Sequence, residues 1–370
     1  MEKYPDLYPK PKSKKKVFWL VLILAILGFV LFYLKPGILS RNIIPSNDQV
    51  ESAILQMPQL DVIAYNKKLI EIANNAPLAG GSTAPSSTAL TLWPLDEARG
   101  LWPVKTAYPN AGAILPFYRI VAYYGNLYSK NMGVLGEYPE DQMLEMLDKE
   151  AKKWETADPT TPVVPALHYI AVVAQAGPGK DGKYRARMPD KEIDKVLKMA
   201  EKINGIVFLD IQVGLGNVQT EVPLLEKYLK MPQVHLGMDP EFAMKQGGRP
   251  GERIGTLDAE DINFAARYLA KIVKENNLPP KILVVHRFTQ PMVTNFQNIK
   301  PLPEVQIVMN MDGFGAQGNK LNTYKQYVYK EPVQFTGFKL FYKNDFARGQ
   351  LLSPEQLLKL SPIPVYIQYQ

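Results

Sequence analysis

The chain is predicted to fold as a (β/α)8 barrel, the TIM-type α/β architecture. Three observations carry that prediction. Eight short apolar runs recur between Tyr118 and Gln370. Most are separated by a segment of helical character, and the alternation extends over about 250 residues, the usual size of such a barrel. The runs are followed by polar or acidic residues, and barrels carry their chemistry at the C-terminal ends of their strands.

In chain order the runs read YRIVAYYGN (118–126), PALHYIAVVAQ (165–175), GIVFLDIQVG (205–214), QVHLGMDPEF (233–242), KILVVHRF (281–288), EVQIVMNMDGFG (304–315), TGFKLFYK (336–343) and PVYIQYQ (364–370). The helices between them carry their own start signals. Segment 139–155 opens with Pro and acidic residues and closes with lysines, as a helix dipole favours. Segment 190–203 follows the same logic. In 258–276, Asp258 is the expected N-cap, and Ile262, Ala265, Ala266, Leu269 and Val273 share one face. In 353–360, Ser353 caps and Pro354 occupies the first turn.

The barrel is assigned to 117–370, and the residues before it divide into three parts. Residues 1–16 are a basic tail with six lysines against Glu2 and Asp6, which holds +4 of the net +7. The rest of the chain is close to neutral, so no nucleic-acid partner is expected. Residues 17–34 carry no charge, and about 18 apolar residues is the short end of a membrane-spanning helix. Phe18, Trp19, Phe32 and Tyr33 stand near its ends, where interfacial rings are favoured. Lys14, Lys15 and Lys16 precede it, which predicts a single-pass anchor with a cytoplasmic N-terminus and an extracytoplasmic barrel. A cleaved signal peptide is the rival, but its apolar region is usually shorter and no A-x-A-like site follows Leu34.

Residues 35–116 are expected to form a stalk, a linker and a segment that packs on the barrel. A helix is expected within 48–75, interrupted by Pro58, and it either stands as a stalk or covers the barrel in place of an eighth helix. Residues 76–87 are rich in Pro, Gly, Ser and Ala and read as a linker. Residues 88–116 contain Trp93-Pro94, Trp102-Pro103 and Tyr108-Pro109, which favour irregular backbone. The chain has no cysteine, so disulfides, thiolate catalysis and Cys-based metal sites are excluded.

The rim residues can be named from the strand ends. Asp239 and Glu241, spaced i and i+2 after the fourth run, would share one face of a strand. Paired carboxylates raise each other's proton affinity, so one can serve as a general acid. Glycoside hydrolysis uses such a pair. The competing account has Asp239 capping a turn with Glu241 in solvent. Asp210 and Asp312 end the third and sixth runs and complete four candidate catalytic carboxylates. His168, His286, Arg287, Lys339, Tyr124, Tyr342 and Tyr366 are the candidate substrate binders. His168 lies farther from the mouth, and of the neighbours His286 and Arg287 only one can point inward. No HExxH or other tight ligand spacing occurs, so neither a metal nor another cofactor is expected, and a metal-dependent hydrolase is the lesser reading. Nucleotide-binding and Ser-nucleophile motifs are absent.

The Asp239-x-Glu241 strand end resembles that of chitinase-like and muramidase-like glycoside hydrolases. The resemblance implies Glu241 as proton donor and Asp239 as its partner. It departs from chitinases in having His235, Leu236, Gly237 and Met238 where further acidic residues would stand. It departs from muramidase-like barrels in lacking an acid on the first strand, and the seventh strand carries Lys339 and Tyr342 rather than a glutamate. The expected function is hydrolysis of a polysaccharide or cell-wall glycan outside the membrane. A surface-tethered barrel that binds glycan or envelope components without catalysis is the alternative.

Overall fold

The alternation of apolar runs and helices closes into a barrel. The computed structural model describes residues 59–75 and 101–370. All of these fall within one compact unit, Met57–Gln370. The basic tail, the apolar segment 17–34, the linker 76–87 and Trp93-Pro94 lie outside the described residues. Among the described residues no helix is long and apolar enough to cross a membrane.

Eight strands form the wall: β1 Arg119–Gly125, β2 Val163–Ala174, β3 Ile206–Ile211, β4 Val234–Met238, β5 Lys281–Arg287, β6 Val305–Met311, β7 Phe335–Leu340 and β8 Tyr366–Tyr369. Each lies parallel to the next, and β8 pairs with β1 to close the ring. Every one of the eight apolar runs supplies one strand. Helices Glu140–Ala157, Asp190–Glu201 and Ala259–Asn276 lie where the sequence places them. Asp258 caps the last of these through a capping box with Asp261, and Ser353 caps Pro354–Leu357 in the same way with Gln356.

Strand alternation sorts the side chains into two shells. Val121, Leu167, Leu209, Leu236, Val285, Ile307, Phe338 and Ile367 face outward, into a layer with the helices that includes Leu147, Trp154, Ile262 and Leu269. Ile120, Ala122, Ala166, Ile206, Phe208, Ile282, Val284, Val308 and Phe335 face inward and form a second, separate cluster. That inner cluster is closed from below by helix Val62–Ala73, through Tyr65, Leu69 and Ile72. Ile72 also accepts a hydrogen bond from the Ile363 amide at 2.7 Å, and the Ser361 hydroxyl donates to the Ala73 carbonyl at 2.7 Å. The segment is therefore a floor of the barrel and not a stalk. The irregular segment after it joins this floor. Trp102 is buried and donates to the Tyr329 carbonyl, and the Gln306 amide inside the barrel is satisfied by the backbone of Leu115.

Candidate active site

Above the apolar layer the inward positions change character. Tyr124 at the top of β1, Gln212 just past β3, Asp312 just past β6 and Lys339 on β7 line one cavity of about 490 Å3 at the C-terminal end of the barrel. Asp239 and Glu241 line it too. They do so by a different route from the one the spacing suggests. β4 ends at Met238, and Pro240–Phe242 is a 3-10 turn capped by the Asp239 carboxylate, which accepts from the Glu241 amide at 3.0 Å. A capped turn thus stands where a continued strand face was expected. The capping expected of Asp239 coexists with a cavity-facing Glu241 that is half-buried rather than free in solvent.

Ion pairs and hydrogen bonds hold this layer together. Asp312 takes Lys339 Nζ on Oδ1 at 2.9 Å and His286 Nδ1 on Oδ2 at 2.8 Å. Lys339 also stands 3.8 Å above the centre of the Tyr124 ring. The Tyr124 hydroxyl donates to Asp210 Oδ2 at 3.1 Å. The Gln212 amide donates to Asp239 Oδ2 at 3.2 Å and to the Tyr124 hydroxyl at 3.3 Å. Phe242, Phe288, Phe314 and Phe341 supply aromatic walls.

These surroundings push the carboxyl groups apart. Burial, reinforced by the Asp312 charge, raises Glu241 from 4.5 to about 7, against Lys339 and His286. Burial also raises Asp239 well above the usual carboxyl range, helped by the charges of Glu241, Asp210 and Asp312. Asp312 is penalised by burial as well, but Lys339 and His286 overcome it and hold the group down at about 2. Asp210 follows Asp312, lowered by His168, His286 and Lys339 despite its burial. Below about pH 7 one cavity therefore carries a protonated Glu241 beside an ionised Asp312, and a separation of acid and base roles begins with such a difference in environment.

The other rim candidates divide. His286 points inward and is fully buried just beneath the cavity. Asp210, His168 and Tyr366 are also fully buried in the interior, with His168 Nδ1 2.5 Å from the Tyr366 hydroxyl. They support the cavity floor and do not line the cavity. Arg287 and Tyr342 do not line this cavity. Arg287 alternates with His286 and points outward, where its guanidinium pairs with Glu331 and donates to the carbonyls of Thr289, Gln290, Val293 and Tyr327. It anchors loops instead of binding substrate at the mouth. Tyr342 lies between the barrel wall and helix Glu140–Ala157, stacked on Tyr369 with its hydroxyl on Tyr123 and Glu150. Tyr123, Tyr169 and Tyr369 belong to the same outer layer.

Two positions escape a reading that looks for charge. Gln212 is one inward step beyond Asp210, so the period of two would have found it. Gly237 is the other. A Cβ there would stand 2.3 Å from His168 Nε2 and 2.5 Å from Asp210 Oδ1, so a bare backbone is what leaves room for that pair. His168, Asp210 and His286 offer three ligand atoms within 4.8 Å of one another, and they are the described residues that could hold a metal ion.

No protein-family model matches the chain, and no curated protein sequence does. Solved structures do. The chain is similar to a ruminal GH26 endo-beta-1,4-mannanase at 11% identity and TM-score 0.33, over 68% of this chain and 58% of that one. It is similar to a Bacillus subtilis mannanase at 12% identity and TM-score 0.36, over 68% and 79%. It is also similar to a putative alpha-L-fucosidase from Bacteroides thetaiotaomicron at 11% identity and TM-score 0.35, over 72% and 91%. Likeness at this level bears on neither substrate nor activity. The barrel itself rests on the closed ring of eight parallel strands.

Proposed function

We propose that the chain is a membrane-anchored hydrolase that cleaves glycosidic bonds outside the cytoplasmic membrane. The observation that carries the reading is the pairing, in one cavity, of a Glu241 held at about 7 with an Asp312 held at about 2. Glu241 is the proton donor to the leaving oxygen. Asp312, ionised and fixed by Lys339 and His286, is the carboxylate that faces the developing positive charge of the sugar. Asp239 shapes the turn that presents Glu241, and Gln212 orients Asp239. The phenylalanine walls suit the C–H faces of sugar rings. The uncharged segment 17–34 behind its lysines is the anchor.

The test is reducing-sugar release from a panel of purified polysaccharides, with peptidoglycan and β-mannan included, by membranes carrying the full chain. The wild type is expected to release sugar in the membrane pellet. Glu241→Gln is expected to lower that rate by a factor of about 100 or more while the barrel stays folded. Equal rates for both proteins would remove Glu241 from the chemistry. Substrate binding without release would favour the non-catalytic barrel, and activity confined to the soluble fraction would refute the anchor.

A further inference from the structure

We infer that His168 Nε2, Asp210 Oδ1 and His286 Nε2 form a binding site for one divalent transition-metal ion, beneath the cavity and joined to the Glu241–Asp312 pair through the Asp312–His286 contact. All three side chains are fully buried. None of the three atoms makes a well-formed hydrogen bond outside the cluster among the described residues; their nearest polar contacts are with one another. Buried polar atoms without partners are costly, and three that face one another need a shared one. Asp210 Oδ1 stands 3.4 Å from His168 Nε2 and 3.7 Å from His286 Nε2. At bonds of about 2.0–2.1 Å, ligand atoms around a tetrahedral ion stand about 3.3–3.4 Å apart; the two contacts to Asp210 are already close to that, and all three atoms lie within 4.8 Å of one another.

The outer ring fits as well. A histidine that binds metal through one nitrogen usually donates the other N–H to a carboxylate or another fixed acceptor. His286 Nδ1 meets Asp312 Oδ2 at 2.8 Å, which leaves Nε2 as the free lone pair. His168 Nδ1 meets the Tyr366 hydroxyl, which also accepts from the Gln368 amide at 2.9 Å. Asp210 keeps Oδ2 for Tyr124 and presents Oδ1 to the histidines. Gly237 contributes by having no side chain, since a Cβ would fill the space against both Asp210 Oδ1 and His168 Nε2. Lys339 is the opposing charge in the neighbourhood, and Asp312 takes it at 2.9 Å. Two imidazoles and one carboxylate suit zinc, iron(II) or manganese(II), with a fourth position left to water from the cavity.

The chain has three histidines and no cysteine, which makes the assay clean. Purified full chain is stripped with chelator and titrated with zinc by calorimetry, and its cobalt(II) form is read by visible absorption. Wild type is expected to take one equivalent and to give the strong absorption of four-coordinate cobalt. Asp210→Asn and His286→Gln, which preserve side-chain size, are expected to lose stoichiometric binding. Asp312→Asn is expected to weaken it by a factor of about 10–100. His235→Asn, which alters the histidine outside the cluster, is expected to bind as wild type does. Absence of stoichiometric binding to folded wild type would overturn the site, as would full binding by folded Asp210→Asn and His286→Gln. None of these readouts depends on Glu241 or on glycan cleavage.

Discussion

The lower and upper halves of the barrel interior obey one alternation rule and carry opposite chemistry. Below, Ile120, Phe208, Ile282 and Val308 meet above a floor of Tyr65, Leu69 and Ile72. Above, the same inward phase brings Asp210, His286, Asp312 and Lys339, all buried, under a cavity lined by aromatic and acidic residues. The floor gains stability from apolar area removed from water. The mouth incurs desolvation and offsets it by ion pairs with short, well-placed contacts. Stability and chemistry thus separate by height within one ring of strands, as this architecture allows.

The contrast breaks most severely at Lys339. Replacing it by Met leaves Asp312 buried with His286 as its remaining side-chain partner. Removing one member of a buried pair costs about 3–5 kcal/mol, and the cation over Tyr124 is lost with it. Lys339→Met is expected to lower the unfolding free energy by that amount in urea titrations and to abolish sugar release. The floor provides the matching variant. Leu69→Ala empties a buried position in the floor helix, which costs about 2–5 kcal/mol in typical cores. It is expected to lower stability in the same titration while the rate per folded molecule stays within a factor of about two, because the mouth keeps its contacts. A Leu69 variant with collapsed activity and intact folding would end the separation by height.

Much of this division could be read before any coordinates. The apolar runs are strong signals because a parallel strand buried on both sides needs continuous apolar sequence. Polar residues at the ends of such runs are conspicuous, and Asp210, Asp312, His286 and Lys339 stand out by that position. The signal is weaker where the phase is lost. Arg287 is one residue out of step, and Tyr342 lies two residues past the end of β7, so proximity to the mouth was not enough to aim either side chain inward. Asp239 and Glu241 reach the cavity through a capped 3-10 turn, a geometry that i and i+2 spacing does not distinguish from a strand. The sequence offers His168 and His286 with either Asp210 or Asp239 as a lesser metal reading, and the choice of Asp210 depends on which neighbours a closed ring puts face to face across β2, β3 and β5. Gly237 carries no side chain to notice.

The smallest effect, and the sharpest probe of the mouth alone, is the pH dependence of Glu241. Its carboxyl titrates at 4.5 in ordinary surroundings and at about 7 in the folded chain, chiefly through burial. Below about pH 4.5 the group is protonated in both folded and unfolded chains and leaves stability unchanged. As pH rises from there toward 7, the unfolded chain ionises first, so the folded state loses stability across that window and then levels off. The proton-donor role runs the same way, since sugar release by a Glu241 acid falls as pH passes about 7. Asp312 has the opposite sign. Held at about 2 against 3.8, it supplies stability above pH 3.8 that disappears as pH falls through 2. Subtracting the stability curve of Glu241→Gln from that of wild type isolates the first effect from His286 and the other neighbours. The difference is expected to slope only between about pH 4.5 and 7, while Leu69→Ala shifts the whole curve without changing its slope. A flat difference for Glu241→Gln would mean that the mouth does not desolvate this carboxyl, and the assignment of Glu241 as the acid would fail with it.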